Sequence, residues 1–197
     1  MNLVRAELLK IRTTSTWWWL AVGAFVSIAL AFAFNAWMAS TVLGGDAETL
    51  GVSGEQATPA AQAANIYTSG QYLGLMFVML IGILMVTNEF FHQTATTTFL
   101  ATPRRTSVIL GKLAAASLLG FLFWLATTVI DLVAGATFLS LNDHGTQLGE
   151  WPVQRALLFN LLAYAIWTIL GVGIGTLITN QLGAVITAAV LYLVGTQ

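Results

Sequence analysis

The chain has 197 residues, of which 57% are hydrophobic and only 8% charged, with a mean hydropathy of +0.82. An ordinary soluble domain carries roughly a quarter charged residues, so this composition excludes one and points to an all-α integral membrane protein. A net charge of −1 gives no basic field for nucleic acid, and the lack of cysteine excludes a disulfide framework or a thiolate metal site.

The few charges fall in clusters. None occurs between Arg12 and Asp46, between Glu55 and Glu89, or after Arg155. Each gap holds the roughly 20 apolar residues needed to cross a hydrocarbon core. Ahead of the first gap, residues 1–16 place Val4, Leu8 and Ile11 at i, i+4 and i+7, with Arg5, Glu7, Lys10 and Arg12 around the rest of the wheel. This pattern predicts a short amphipathic helix at a membrane surface, with Arg5, Lys10 and Arg12 toward lipid headgroups. Trp17, Trp18 and Trp19 then mark the headgroup level, where an indole keeps its body in lipid and its N–H toward water.

The first predicted span is 17–39, which reaches about 34 Å as a helix. It is longer than the roughly 7–15 apolar residues of a signal peptide, so it reads as a span. Gly23, Ser27, Ala31 and Asn35 recur every fourth position along it. Such a stripe lets helix backbones approach closely in lipid, including those of a second copy of the chain. The loop at 40–69 carries Asp46, Glu48 and Glu55 without Lys or Arg, and its Gly, Pro59 and Ala-rich stretches promise little rigid structure.

The second span, 70–88, ends at Glu89, and the next segment reads EFFHQTATTTFLATPRR. Phe91, Ala95 and Phe99 fall at i, i+4 and i+8, an apolar ridge that fits a groove on a partner protein. Pro103 ends the segment, and its threonines disfavour an autonomous helix, so a partner or the membrane has to stabilise it. The third span is 108–139, with Lys112 at its cytoplasmic boundary. Nineteen residues on, Asp131 lies about 28 Å along, near the opposite interface, and is expected to be solvated there rather than buried as a relay carboxylate.

A loop with Asp143, His144, Glu150 and Pro152 leads to the fourth span, 155–178. Its GVGIG sequence follows no soluble strand, so the stripe of Ala163, Gly171, Gly175 and Thr179, interrupted by Trp167, reads as helix packing rather than nucleotide binding. TNQLG breaks the apolar run, and a fifth span, 183–197, stops without a flanking charge, so the natural chain is expected to continue. Together these elements make one transmembrane domain over 1–197.

Lys and Arg set the orientation. The N-terminal segment and the stretch 89–112 hold three each, the acidic loop none, and the 141–155 loop one at its end. The N-terminus and residues 89–112 are therefore expected on the cytoplasmic side of the inner membrane. His92 and His144 then lie on opposite sides, no HExxH or GxSxG occurs, and GKL at 111–113 lacks the flanking residues of a P-loop. The chain reads as no enzyme, and active transport needs its energy from another subunit.

Glu89, Phe90, His92, Thr94, Thr97, Thr98, Pro103, Arg105 and Lys112 together resemble the first cytoplasmic loop of ABC transporter permeases of the ABC type-2 exporter family. Gln93 stands where that pattern has Gly, and Phe91 and Thr96 where it often has a basic residue. The leader RAELLKIRTTSTWW is similar to the family's basic interfacial helix, and the matching motifs cover about forty residues. The resemblance implies that 89–102 is a coupling helix inserted into an ATPase cleft, with Glu89, Phe90, Phe91, His92, Thr94, Thr98, Phe99, Pro103, Arg104 and Arg105 as the coupling residues. It further implies two permease chains working with two ATPase subunits that bind ATP and Mg, no cofactor on this chain, and a sixth span beyond the five read here. The expected function is the permease half of an ATP-driven exporter of an apolar or amphipathic, drug-like or lipid-like cargo. A channel or secondary transporter working without an ATPase is the alternative; a lipid-modifying enzyme lacks its clustered His, Asp or Ser.

Overall fold

The computed structural model describes residues 4–7, 9, 16–94 and 105–195, and every regular element among them is helical. α1 (Thr16–Thr41) is followed by a π-helical turn and two short 3-10 turns, then α2 (Pro59–Tyr67), α3 (Gln71–Phe91), α4 (Arg105–Leu141), α5 (Trp151–Leu177) and α6 (Gln181–Gly195). The apolar runs between charges thus become helices where the sequence places them. Among the described residues four stretches are long and apolar enough to cross a membrane: Ala21–Leu50, Pro59–Phe91, Thr106–Leu141 and Trp151–Leu177. α6, at 15 residues, is shorter; it reaches about 22 Å against a hydrocarbon core of about 30 Å.

The 40–69 loop departs from expectation, because it is largely folded. Thr58 caps α2, its hydroxyl accepting from Ala61 N at 3.3 Å with Pro59 in the first turn. That arrangement satisfies an orphan donor where proline has none to offer. Gly45 and Gly51 take positive φ (105° and 68°), the left-handed backbone that lets the acidic segment turn back. What fixes α2 is its apolar face: Ala63, Ile66 and Tyr67 are fully buried.

The chain divides into two compact units whose boundaries fall within helices. In the unit formed by 23–74 and 124–163, Ala39, Ala63, Ile66, Tyr67, Leu139 and Val153 share a core, flanked by Phe32, Leu132, Ala136 and Leu157. Tyr67 donates its hydroxyl to the Thr146 carbonyl at 2.6 Å. Gly135 makes room for that ring: a Cβ there would lie 2.9 Å from it.

In the unit formed by 1–22, 75–123 and 164–197, glycine sets the spacing of α3 and α5. A Cβ at Gly171 would collide with the Met79 carbonyl, one at Gly175 would lie 3.0 Å from that of Ile83, and one at Gly82 2.7 Å from that of Thr168. The GVGIG stripe is therefore a helix-packing surface, as its lack of a preceding strand implies. Around it Met85, Val86, Ala115, Ala116 and Val172 form a second core, on which Val4 of the leader packs. α6 joins by Ala184, Ala188 and Tyr192, whose ring meets Trp167 edge-on at 4.9 Å.

Large apolar side chains stay outside this packing. Phe25, Leu30, Phe34 and Trp37 on α1 are more than half exposed. In the most apolar window of the first stretch 11% of residues are buried, against 56% in the second. An uncovered surface of this kind suits lipid or another helix.

Candidate partner-docking site and its buried charge cluster

Glu89, Phe90 and Phe91 belong to the last turn of α3 rather than to a separate helix. The helix ends in a Schellman arrangement: Thr94 N donates to the Glu89 carbonyl at 2.9 Å and Gln93 N to that of Phe90 at 3.2 Å. Gln93, at the position where the resemblance has Gly, takes φ 56°. The cap explains why glycine suits this site, since only a left-handed residue closes both bonds.

Past this turn the side chains are open. Phe91 is 68% and Phe90 39% exposed, and His92 stacks edge-on against Phe91 at 5.1 Å. Phe90 and Phe91 flank an open groove of about 740 Å³ completed by Thr179, Asn180 and Leu182, the break between α5 and α6. Gln181 holds that break to α3 through Asn88 at 3.3 Å. Residues 95–102, with Thr98 and Phe99, lie outside the described residues, as do Pro103 and Arg104; Arg105 opens α4. The coupling-helix expectation therefore rests on sequence beyond Thr94.

Glu89 is not part of the open ledge. It is 5% exposed, with Oε1 3.0 Å from Nζ of Lys112, itself 4% exposed. The same ammonium donates to Oε2 of Glu7 at 3.0 Å and to the Met85 carbonyl at 3.0 Å. All three of its N–H donors thus have acceptors, the condition for keeping a buried lysine charged. Glu7, read from the wheel as part of a polar face, is instead buried beside Val4, while Arg5 is exposed; Lys10 and Arg12 lie outside the described residues. Sequence reasoning missed this cluster although a signal existed. Glu7 and Glu89 are the only acids in the segments expected at the cytoplasm, and a lysine set into an apolar run needs a carboxylate.

Asp131 also departs from expectation. It is 1% exposed, not solvated at an outer mouth; ten residues of α4 still follow it, and Oδ2 accepts from Gly70 N at 3.0 Å. The rise per residue gives distance along the helix, whereas burial is set by the neighbours, here the Gly70 backbone that closes on the carboxyl.

On α1, Gly23, Ser27, Ala31 and Asn35 are half-buried, flanking the buried face of Ala24, Ile28, Ala36 and Ala39. Ser27 and Asn35 turn their polar groups back on the Gly23 and Ala31 carbonyls at 2.7 and 2.9 Å. No group of three His, Cys, Asp or Glu side chains that could hold a metal occurs among the described residues. No protein-family model, curated protein or solved structure matches the chain.

Proposed function

We propose that the chain is the membrane-spanning permease subunit of an ATP-driven exporter of the ABC type-2 kind, in the cytoplasmic membrane with its N-terminus inside. The observation that carries this reading is the Lys112 cluster. One ammonium ties α3, α4 and the N-terminal helix together at the point where the Thr-rich segment leaves and re-enters the helices. A soluble partner pressing on 91–102 would move all three as a unit, which is what a force-transmitting loop requires. The exposed Phe91 at its start supports the same role.

In this reading two permease chains meet two ATPase subunits, which bind ATP and Mg; closure of the ATPases draws the coupling segments together and alternates access to the cargo path. This chain supplies no catalytic group. Its uncharged spans suit an apolar or amphipathic cargo, drug-like or lipid-like. The test is co-expression with an ATPase encoded beside it. Phe91→Ala/Phe99→Ala should lose ATPase co-purification and transport-linked hydrolysis while expression and insertion stay normal. Full coupling in that variant would assign the loop to another role.

Buried Asp131 favours one second reading, a secondary transporter without an ATPase, since carboxylates sealed inside helical spans commonly serve ion pathways. Uptake driven by an ion gradient in proteoliposomes holding this chain alone would decide for it.

A further inference from the structure

We propose that Asp131 is a proton-binding site, its carboxyl taking up and releasing a proton at the break between α2 and α3. The inference holds under either transport reading, because it rests on one buried group and its surroundings. Oδ2 is occupied by the Gly70 N–H, while Oδ1 is buried with no hydrogen-bond partner. The carboxyl is closed in tightly. A Cβ on Gly70 would stand 3.3 Å from Oδ2 and 3.3 Å from Ile28 Cγ1, so any larger residue there would press on both.

Other buried polar atoms of the same unit are also without a partner. Thr128 Oγ1, on the same face of α4 one turn earlier, is buried without a partner, and so is Asn160 Oδ1 on α5. The helices that carry them, α4 and α5, share a core at Leu139 and Val153. Among the described residues of the same unit no cation is buried with Asp131: Asp46, Glu48, Glu55, Asp143, Glu150 and Arg155 are exposed and His144 is half-exposed. The titratable group of α2, Tyr67, packs its ring against α4 at Gly135, and its hydroxyl is engaged with Thr146.

An ionised carboxylate with one oxygen cut off from every donor is among the costliest groups to enclose in a low-dielectric interior. A proton on Oδ1 removes the charge. A metal cation fits less well: it needs a shell of several oxygens, and the Gly70 N–H directs its positive end at the carboxyl. The step balances simply. A proton passes from hydronium to Oδ1, forming one O–H bond and leaving water; release reverses it. The ionised form needs water at Oδ1.

The test uses the purified full chain in lipid, labelled with carboxyl-¹³C aspartate, and infrared spectroscopy across pH. The chain has three aspartates, Asp46, Asp131 and Asp143. We expect an isotope-shifted carbonyl stretch of a protonated acid that persists in Asp46→Asn/Asp143→Asn, disappears reversibly as pH rises, and is lost in Asp131→Asn. Absence of that band at every pH where the chain stays folded would make Asp131 an ionised cap of α3 and overturn the proposal. So would a band indifferent to pH, or one displaced by sodium at constant pH. Should Asp131→Asn fail to fold, the labelled wild type and the Asp46→Asn/Asp143→Asn variant decide between these outcomes.

Discussion

Lys112 illustrates how one side chain can hold three helical segments. Breaking a buried pair costs far more than a surface pair contributes, because the carboxylates stay where an ammonium no longer offsets them. Lys112→Met should therefore destabilise the fold by about 3 kcal/mol, read as a lower midpoint of thermal unfolding in detergent. Arg5→Met, on an exposed side chain, should leave that midpoint within about 0.5 kcal/mol. At the end of α3 the opposite sign is expected. Gln93 holds a left-handed backbone at φ 56° that costs a non-glycine residue about 1 kcal/mol, so Gln93→Gly should slow hydrogen exchange of the Gln93 and Thr94 amides. At this scale the sequence was only partly legible. It placed Lys112 and Glu89 at a common boundary, but the pairing of Lys112 with Glu7 is a contact across 105 residues, which no local periodicity records.

The helices themselves were legible, because charge avoidance in lipid is a one-dimensional rule and each uncharged run became a helix within a few residues of its expected bounds. α2 was not, since its Thr58–Pro59 start is a local signal while burial of Ile66 and Tyr67 depends on α4 lying beside it. The glycine contacts of α3 and α5 give a paired prediction. Gly171→Ala drives a methyl into the Met79 carbonyl, so it should force the helices apart and cost about 1–3 kcal/mol. A methyl at Gly173, two residues on, would meet nothing within 4 Å, and Gly173→Ala should be neutral or slightly stabilising through helix propensity. Equal unfolding midpoints for the two variants would show that this contact does not set the packing.

For the whole chain, the membrane arrangement is open to direct measurement, and the lack of cysteine makes it straightforward. The proposed orientation, with residues 1–16 and 89–107 inside and 40–69 and 141–154 outside, predicts that a cysteine at Ser53 reacts with an impermeant thiol reagent on intact cells and one at Thr106 does not; the reverse pattern would invert it. The lightly covered α1 leads to a second measurement, since a second copy of the chain seated there should give a native mass of two copies in the purified assembly. α4 adds a consequence of its length. Its 37 residues contain no proline and rise about 55 Å, whereas a helix tilted by about 40° needs only about 39 Å to traverse the hydrocarbon. About ten residues of continuous helix must then stand in water or among headgroups, beyond the reach of the lipid tails.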